Sequence, residues 1–94
     1  MSDAYNIRHE AGHHRFVTVV DGQTCELEYH LDRDVMSITH TGVPDAVGGR
    51  GIAAQLVRAA LDHARASHWK VIPACSYAQA WMKKHPEYDD LRLA

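Results

Sequence analysis

The residues of this chain best suited to chemistry are Gly48, Gly49, Arg50 and Gly51, set between an extended stretch and a helical one. Glycines let backbone N–H groups come close to an anion, and a helix start leaves several such groups unpaired beside the positive end of its dipole. Arg50 adds a full charge. The run over residues 43–66, V-P-D-A-V-G-G-R-G-I-A-A-Q-L-V-R-A-A-L-D-H-A-R-A, therefore has the layout that cradles a phosphate. A plain turn into a core helix uses the same residues, so the loop takes its meaning from its surroundings. It lacks the Gly-Lys-Ser/Thr ending of nucleoside triphosphatases, which argues against that chemistry.

Two other residues have reactive side chains at the ends of expected strands. Cys75 precedes a helix start, an environment that favours the thiolate. His40 belongs to the residue type that exchanges protons near neutral pH. A third feature, His9-Glu10-Ala11-Gly12-His13, matches the H-E-x-x-H pattern of zinc proteases, which needs both histidines on one helical face. Gly12 weakens a helix there and no long amphipathic helix surrounds it, so adventitious nickel or zinc on His9, His13 and His14 is the better reading.

These groups need a scaffold. Residues 1–12 read as polar and irregular. Phe16, Val17, Val19 and Val20, the turn Asp21-Gly22, and then Cys25, Leu27, Tyr29 and Leu31 alternating with polar residues predict a hairpin. Cys25 reads as a small core residue. A second turn at Asp32-Arg33-Asp34 leads into a third strand through Val35, Met36, Ile38 and His40. Ile52, Leu56, Val57, Ala60, Leu61 and Ala64 recur at helical spacing, with Arg58 and Asp62 expected to form a weak ion pair on the solvated face. Residues 69–74 read as a buried strand, parallel to the third through a right-handed crossover. Ser76 with Gln79 predicts a capping box opening a second helix, with Ala78, Trp81 and Met82 on its apolar side, and Pro86 ends it. Trp69 and Trp81 read as core anchors, Trp69 also as a candidate acceptor surface. Tyr88 and Leu91 pack the tail back on the sheet.

With 94 residues there is room for one small domain, 1–94. A formal charge of −2 offers no basic surface for nucleic acid, and the eight histidines make that charge pH-sensitive. Two cysteines fifty positions apart and no apolar leader point to a reducing, cytoplasmic setting, and no run reaches membrane-spanning length.

Gly49-Arg50-Gly51-Ile52-Ala53 entering a helix resembles the acyl-CoA pyrophosphate loop of the GCN5-related N-acetyltransferases, Arg/Gln-x-x-Gly-x-Gly/Ala. Pro73-Ala74-Cys75-Ser76-Tyr77 and His85-Pro86-Glu87-Tyr88 are similar to the signature of the very small, single-domain members of that superfamily. The resemblance covers roughly residues 29–91. Two positions depart from it: Gly48 replaces Arg or Gln, and Gly42 replaces a Glu that small relatives carry in a His-Thr-Glu-Val-Pro run, which removes a candidate general base.

The resemblance implies an α/β (α+β) fold: three antiparallel N-terminal strands, a crossover helix, a parallel fourth strand splayed from the third, and a C-terminal helix. It implies acetyl-CoA (coenzyme A) as cofactor, with contacts at Ser37, Ile38, Thr39, Val43, Gly48, Gly49, Arg50, Gly51, Ile52 and Ala53, and also at Ser76 and His85. In the expected acetyl transfer to an unidentified amine, His40 is the base, Cys75 a covalent acceptor and Tyr77, matching a tyrosine that relatives hold near the CoA sulfur, the donor of the leaving-group proton. The alternatives are an acyl-CoA-binding or protein-interaction module without turnover, and a zinc protein built on His9 and His13. A monomer or weak homodimer, with no nucleic acid or membrane partner, completes the expectation.

Overall fold

The computed structural model describes residues 5–93. Its strands follow the order β1 (Arg8–Glu10), β2 (Arg15–Val20), β3 (Gln23–Asp32), β4 (Val35–Gly42) and, after helix α1 (Ile52–Ala66), β5 (Lys70–Pro73), with helix α2 (Ser76–Lys83) last. They form one five-stranded sheet in sequence order. The first four are antiparallel, and β5 joins β4 in parallel, pairing Val35 with Lys70 through Ile38 with Pro73. The three antiparallel strands, crossover helix, parallel strand and final helix expected from sequence are all present. β1 is an addition at the edge, where residues 8–10 read as irregular. The same reading for residues 1–4 lies outside the described residues.

Both hairpin turns have two central residues with positive φ, Asp21 and Gly22 at 50° and 75°, and Arg33 and Asp34 at 48° and 65°. That backbone matches the right-handed twist of the strands it joins. Leu27, Met36, Ile38 and Val71 point to one side of the sheet, where they meet Leu56, Val57 and Leu61 of α1 and Met82 of α2 in a single apolar cluster. The buried positions of α1 are Ile52, Leu56, Val57, Ala60, Leu61 and Ala64, the set its periodicity predicts. Each large aliphatic side chain buried there contributes about 1.5–3 kcal/mol. Ala78, Trp81 and Met82 do the same for α2. Tyr88 and Leu91 close the cluster, and Leu93 N–H donates to the Val71 carbonyl (2.9 Å), so the tail pairs along β5.

Cys25 is fully buried, and burial pushes its thiol up, which keeps it protonated and inert. Arg58 and Asp62 do not form the expected direct pair. The Tyr88 hydroxyl donates to Asp62 (2.7 Å) and accepts from Arg58 (3.4 Å), while the Arg58 guanidinium lies 5.4 Å from the Trp81 ring centre. The hydroxyl of a tyrosine distant in sequence stands between the two charges.

Candidate active site

The glycine loop is short and open. Residues Asp45–Val47 make one 3-10 turn, and Gly51 caps α1 with φ 75°, a left-handed conformation that needs glycine. Gln55 N–H to the Gly51 carbonyl (3.2 Å) is the first bond of the helix, so the N–H groups of Ile52, Ala53 and Ala54 precede it at the positive end of the dipole. A cleft of about 260 Å³ lies against this helix start, lined by Val43, Gly48, Gly49, Gly51, Ile52 and Ala53, with Tyr77 on its other wall. Six of the predicted cofactor residues thus surround one space. A Cβ added at Gly49 or Gly51 would meet nothing within 4 Å, so the backbone on that side is open to a ligand.

The far wall arises because β5 leaves β4 early. Their pairing stops at Ile38 and Pro73, and Cys75 N–H then donates to the Ile38 carbonyl (2.9 Å). Beyond Ile38, β4 keeps only β3 as a strand partner among the described residues, and a bulge at Thr39 interrupts that ladder between Glu28 and Tyr29. Thr39 anchors the bulge, its hydroxyl donating to the Glu28 carbonyl (3.3 Å). The result is a wedge between the end of β4 and the start of α2. Cys75 sits on it half-buried, as the N-cap of α2, with Sγ accepting from Ala78 N–H (3.4 Å) and 3.6 Å from Thr41 Oγ1. The cap is therefore the cysteine sulfur; Ser76 and Gln79 form no capping box, and Ser76 is an exposed first residue of the helix. Partial burial pushes the Tyr77 phenol up, so it holds its proton as a donor.

Other predicted site residues sit elsewhere. Ser37 and Ile38 lie in the paired part of β4, and the Ile38 side chain is in the core. Arg50 does not line the cleft: its guanidinium pairs with Asp21 (2.7 Å) and its carbonyl accepts from the Tyr5 hydroxyl (3.0 Å). His85 stacks on Trp81 with ring centres 3.6 Å apart and donates from Nδ1 to the Trp81 carbonyl (2.7 Å), which holds it at the end of α2 opposite Tyr77. Trp69 is half-buried among the rings of Tyr29 and His63.

The zinc pattern dissolves in the fold. His9 lies on β1, stacked on Phe16 at 4.2 Å and hydrogen-bonded to the Tyr29 hydroxyl (2.7 Å), while Glu10 is engaged by Arg15 and His13 is exposed in a 3-10 turn. Burial, then the neighbouring His63 and His14, lower the His9 pKa and favour its neutral ring. His40 is exposed near the end of β4, facing Glu28 across the ladder, and Gly42 faces Glu26. Sequence reasoning missed these two carboxylates, because only the strand register brings Glu28 opposite His40 and Glu26 opposite Gly42.

Antiparallel strands, a crossover helix opened by a glycine loop, and a parallel last strand that parts from β4 define a small mixed α/β domain of acetyltransferase-like fold, and comparison with known proteins agrees. Residues 15–91 match the GCN5-related N-acetyl-transferase family, to which this chain belongs. Among individual proteins it is similar to Protein NATD1 of Gallus gallus, 31% identical over 83 residues (85% of this chain, 76% of that protein). Protein NATD1 of Homo sapiens is likewise 31% identical over 83 residues, covering 85% and 74%. A GCN5-like protein from Staphylococcus aureus, solved by NMR in solution, superposes with a TM-score of 0.75 at 32% identity, over 96% of this chain and 89% of that one.

Proposed function

We propose that this chain moves an acetyl group from acetyl-CoA to an amine. The observation that carries the reading is the wedge itself, which opens next to the unpaired N–H groups of α1 and has Cys75 and Tyr77 on its far side. The donors on the helix start and the uncrowded glycines suit a pyrophosphate. When bound, acetyl-CoA supplies an acetyl group activated as a thioester. The N–H groups of Ile52, Ala53 and Ala54 hold the pyrophosphate, and Val43 and Ile52 give the adjoining arm an apolar wall.

Cys75 Sγ, at the positive end of α2, forms a C–S bond to the acetyl carbon as the original C–S bond breaks. Tyr77, protonated and beside the cleft, gives its proton to the departing thiolate and takes up the proton that leaves the Cys75 thiol, so its hydroxyl is restored. The amine then displaces Cys75: its N–C bond forms, the Cys75 C–S bond breaks, and His40 takes the amine proton. The missing side chain at Gly48 and the pairing of Arg50 with Asp21 favour a second reading, an acyl-CoA-binding module without turnover.

Titration of acetyl-CoA against the native chain and Gly51→Val, with release of free CoA thiol followed in the presence of amines, tests this. Binding weakened about tenfold by Gly51→Val, where a side chain strains the left-handed cap, together with amine-dependent thiol release, is the expected result. Binding without release across amines would assign the binding module. Absence of binding would overturn both.

A further inference from the structure

Arg50 sits between two glycines with left-handed backbones, Gly49 at φ 76° and Gly51 at φ 75°. Neither has a Cβ to limit its rotation, so this stretch has many conformations to lose when it orders around a ligand. Two distant parts of the chain take hold of Arg50. The Tyr5 hydroxyl donates to its carbonyl (3.0 Å), and Asp21, in the turn between β2 and β3, pairs with its guanidinium (2.7 Å). Main chain and side chain are thus fixed separately, from 45 and 29 positions away, so only the fold brings the three together. Tyr5 is itself anchored. Its N–H donates to the side-chain carbonyl of Gln55 (3.1 Å) on the first turn of α1. The next carbonyl, of Asn6, accepts from the buried Thr18 hydroxyl (2.9 Å), and Tyr5 and Ile7 pack against the apolar cluster. Residues 5–7 therefore form a short strap from the glycine loop to the start of β1. Neither Tyr5 nor Asp21 lines the cleft, so their bonds to Arg50 act on the shape of the loop.

We propose that Tyr5 and Asp21 are positioning residues that hold Arg50, and through it the backbone of residues 49–51, in the form that receives a cofactor pyrophosphate. The brace is made before the ligand arrives, so the cost of ordering two glycines falls on folding and not on binding. It also accounts for the direction of Arg50: its charge fixes the loop, and the N–H groups at the start of α1 are left to meet the anion. The inference rests on the acyl-CoA reading for what the loop receives, while the bracing of the free loop stands apart from it.

Two variants of the full chain test it. Tyr5→Phe removes the hydroxyl and keeps the ring against the core. Asp21→Asn removes the charge and keeps the turn, because Asn-Gly suits its two positive-φ positions. Backbone ¹⁵N relaxation of the cofactor-free protein should show the order parameters of amides 49–51 falling in Tyr5→Phe from about 0.85 toward about 0.6. Calorimetric titration with acetyl-CoA should show affinity weakened about fivefold by Tyr5→Phe and about twofold by Asp21→Asn, the smaller effect suiting an exposed ion pair. The rate of Cys75 acetylation at saturating acetyl-CoA should not change. A merely structural role would lower the melting temperature and leave loop order and affinity as they were. Order parameters indifferent to both variants, or an affinity indifferent to Tyr5→Phe, would overturn the proposal. So would tighter binding by Asp21→Asn, since Asp21 would then be withholding Arg50 from the phosphate. A native chain that binds no acetyl-CoA, with the loop loosened in the variants, sinks the acyl-CoA reading and leaves the brace. Native binding with an unaltered loop in both variants sinks the brace alone.

Discussion

Replacing Cys75 separates its role as a cap from its role as a nucleophile. Its backbone, at φ −88° and ψ 148°, has the extended geometry of an N-cap, and its sulfur takes the Ala78 N–H at 3.4 Å. Sulfur is a weak acceptor, so this cap is worth less than an oxygen cap, which contributes about 1 kcal/mol. Cys75→Ala loses the bond and leaves a helix-end donor unmatched, an expected cost of about 0.5 kcal/mol. Cys75→Ser presents an oxygen in a backbone already suited to it, with a gain of similar size. In a domain of this length those changes move the melting temperature by about 2–4 °C in opposite directions. Urea denaturation measures the order Ser, Cys, Ala. Intact-mass spectrometry after incubation with acetyl-CoA measures the chemistry, where an addition of about 42 Da is expected on the native chain and on neither variant. An adduct that persists in both variants would refute the covalent role, and Ser less stable than Ala would refute the cap.

Gly42→Ala should leave stability within about 1 kcal/mol, because His40 is exposed and its ring can yield, yet lower acetylation of butylamine about tenfold by moving that ring; an unchanged rate would remove His40 from the mechanism. The lowered His9 pKa means the unfolded chain binds the proton first, so stability present above pH 6.5 is lost as pH falls through the folded value. His9→Phe should flatten that part of a melting-temperature profile taken from pH 7.5 to 5, and an unaltered slope would count against the cluster around His9. Arg33→Gly, at φ 48° in the second hairpin turn, should raise the urea midpoint by the equivalent of up to about 1 kcal/mol, and a fall would show that the turn tolerates arginine without strain.

What was legible in the sequence was whatever repeats along one segment. The apolar positions of α1 and α2 and the Asp21-Gly22 turn follow from local spacing and local backbone preference. β1 was not legible, since Arg8, His9 and Glu10 are polar and become a strand only by pairing with β2 and by stacking His9 on Phe16. The Cys75 cap lost to a serine in the reading because serine is the stronger capping type, while the chain turned one residue earlier. At the site, the glycines and Cys75 carried visible signatures. The placing of Glu26 and Glu28 beside His40 depends on register and on an unpredicted bulge at Thr39, and the attachment of His85 to Trp81 depends on how α2 ends.

The pairing of Leu93 with Val71 has a consequence for solubility. β5 is only four residues long, and with Arg92 and Leu93 alongside it has neighbours on both flanks, as an interior strand does. Displacing residues 92–93 from β5 would strip that cover and expose a row of backbone donors and acceptors next to the outward-facing Ile72. Such a border invites a second molecule to add its own strand. Arg92 and Leu93 thereby shield the β5 edge from self-association.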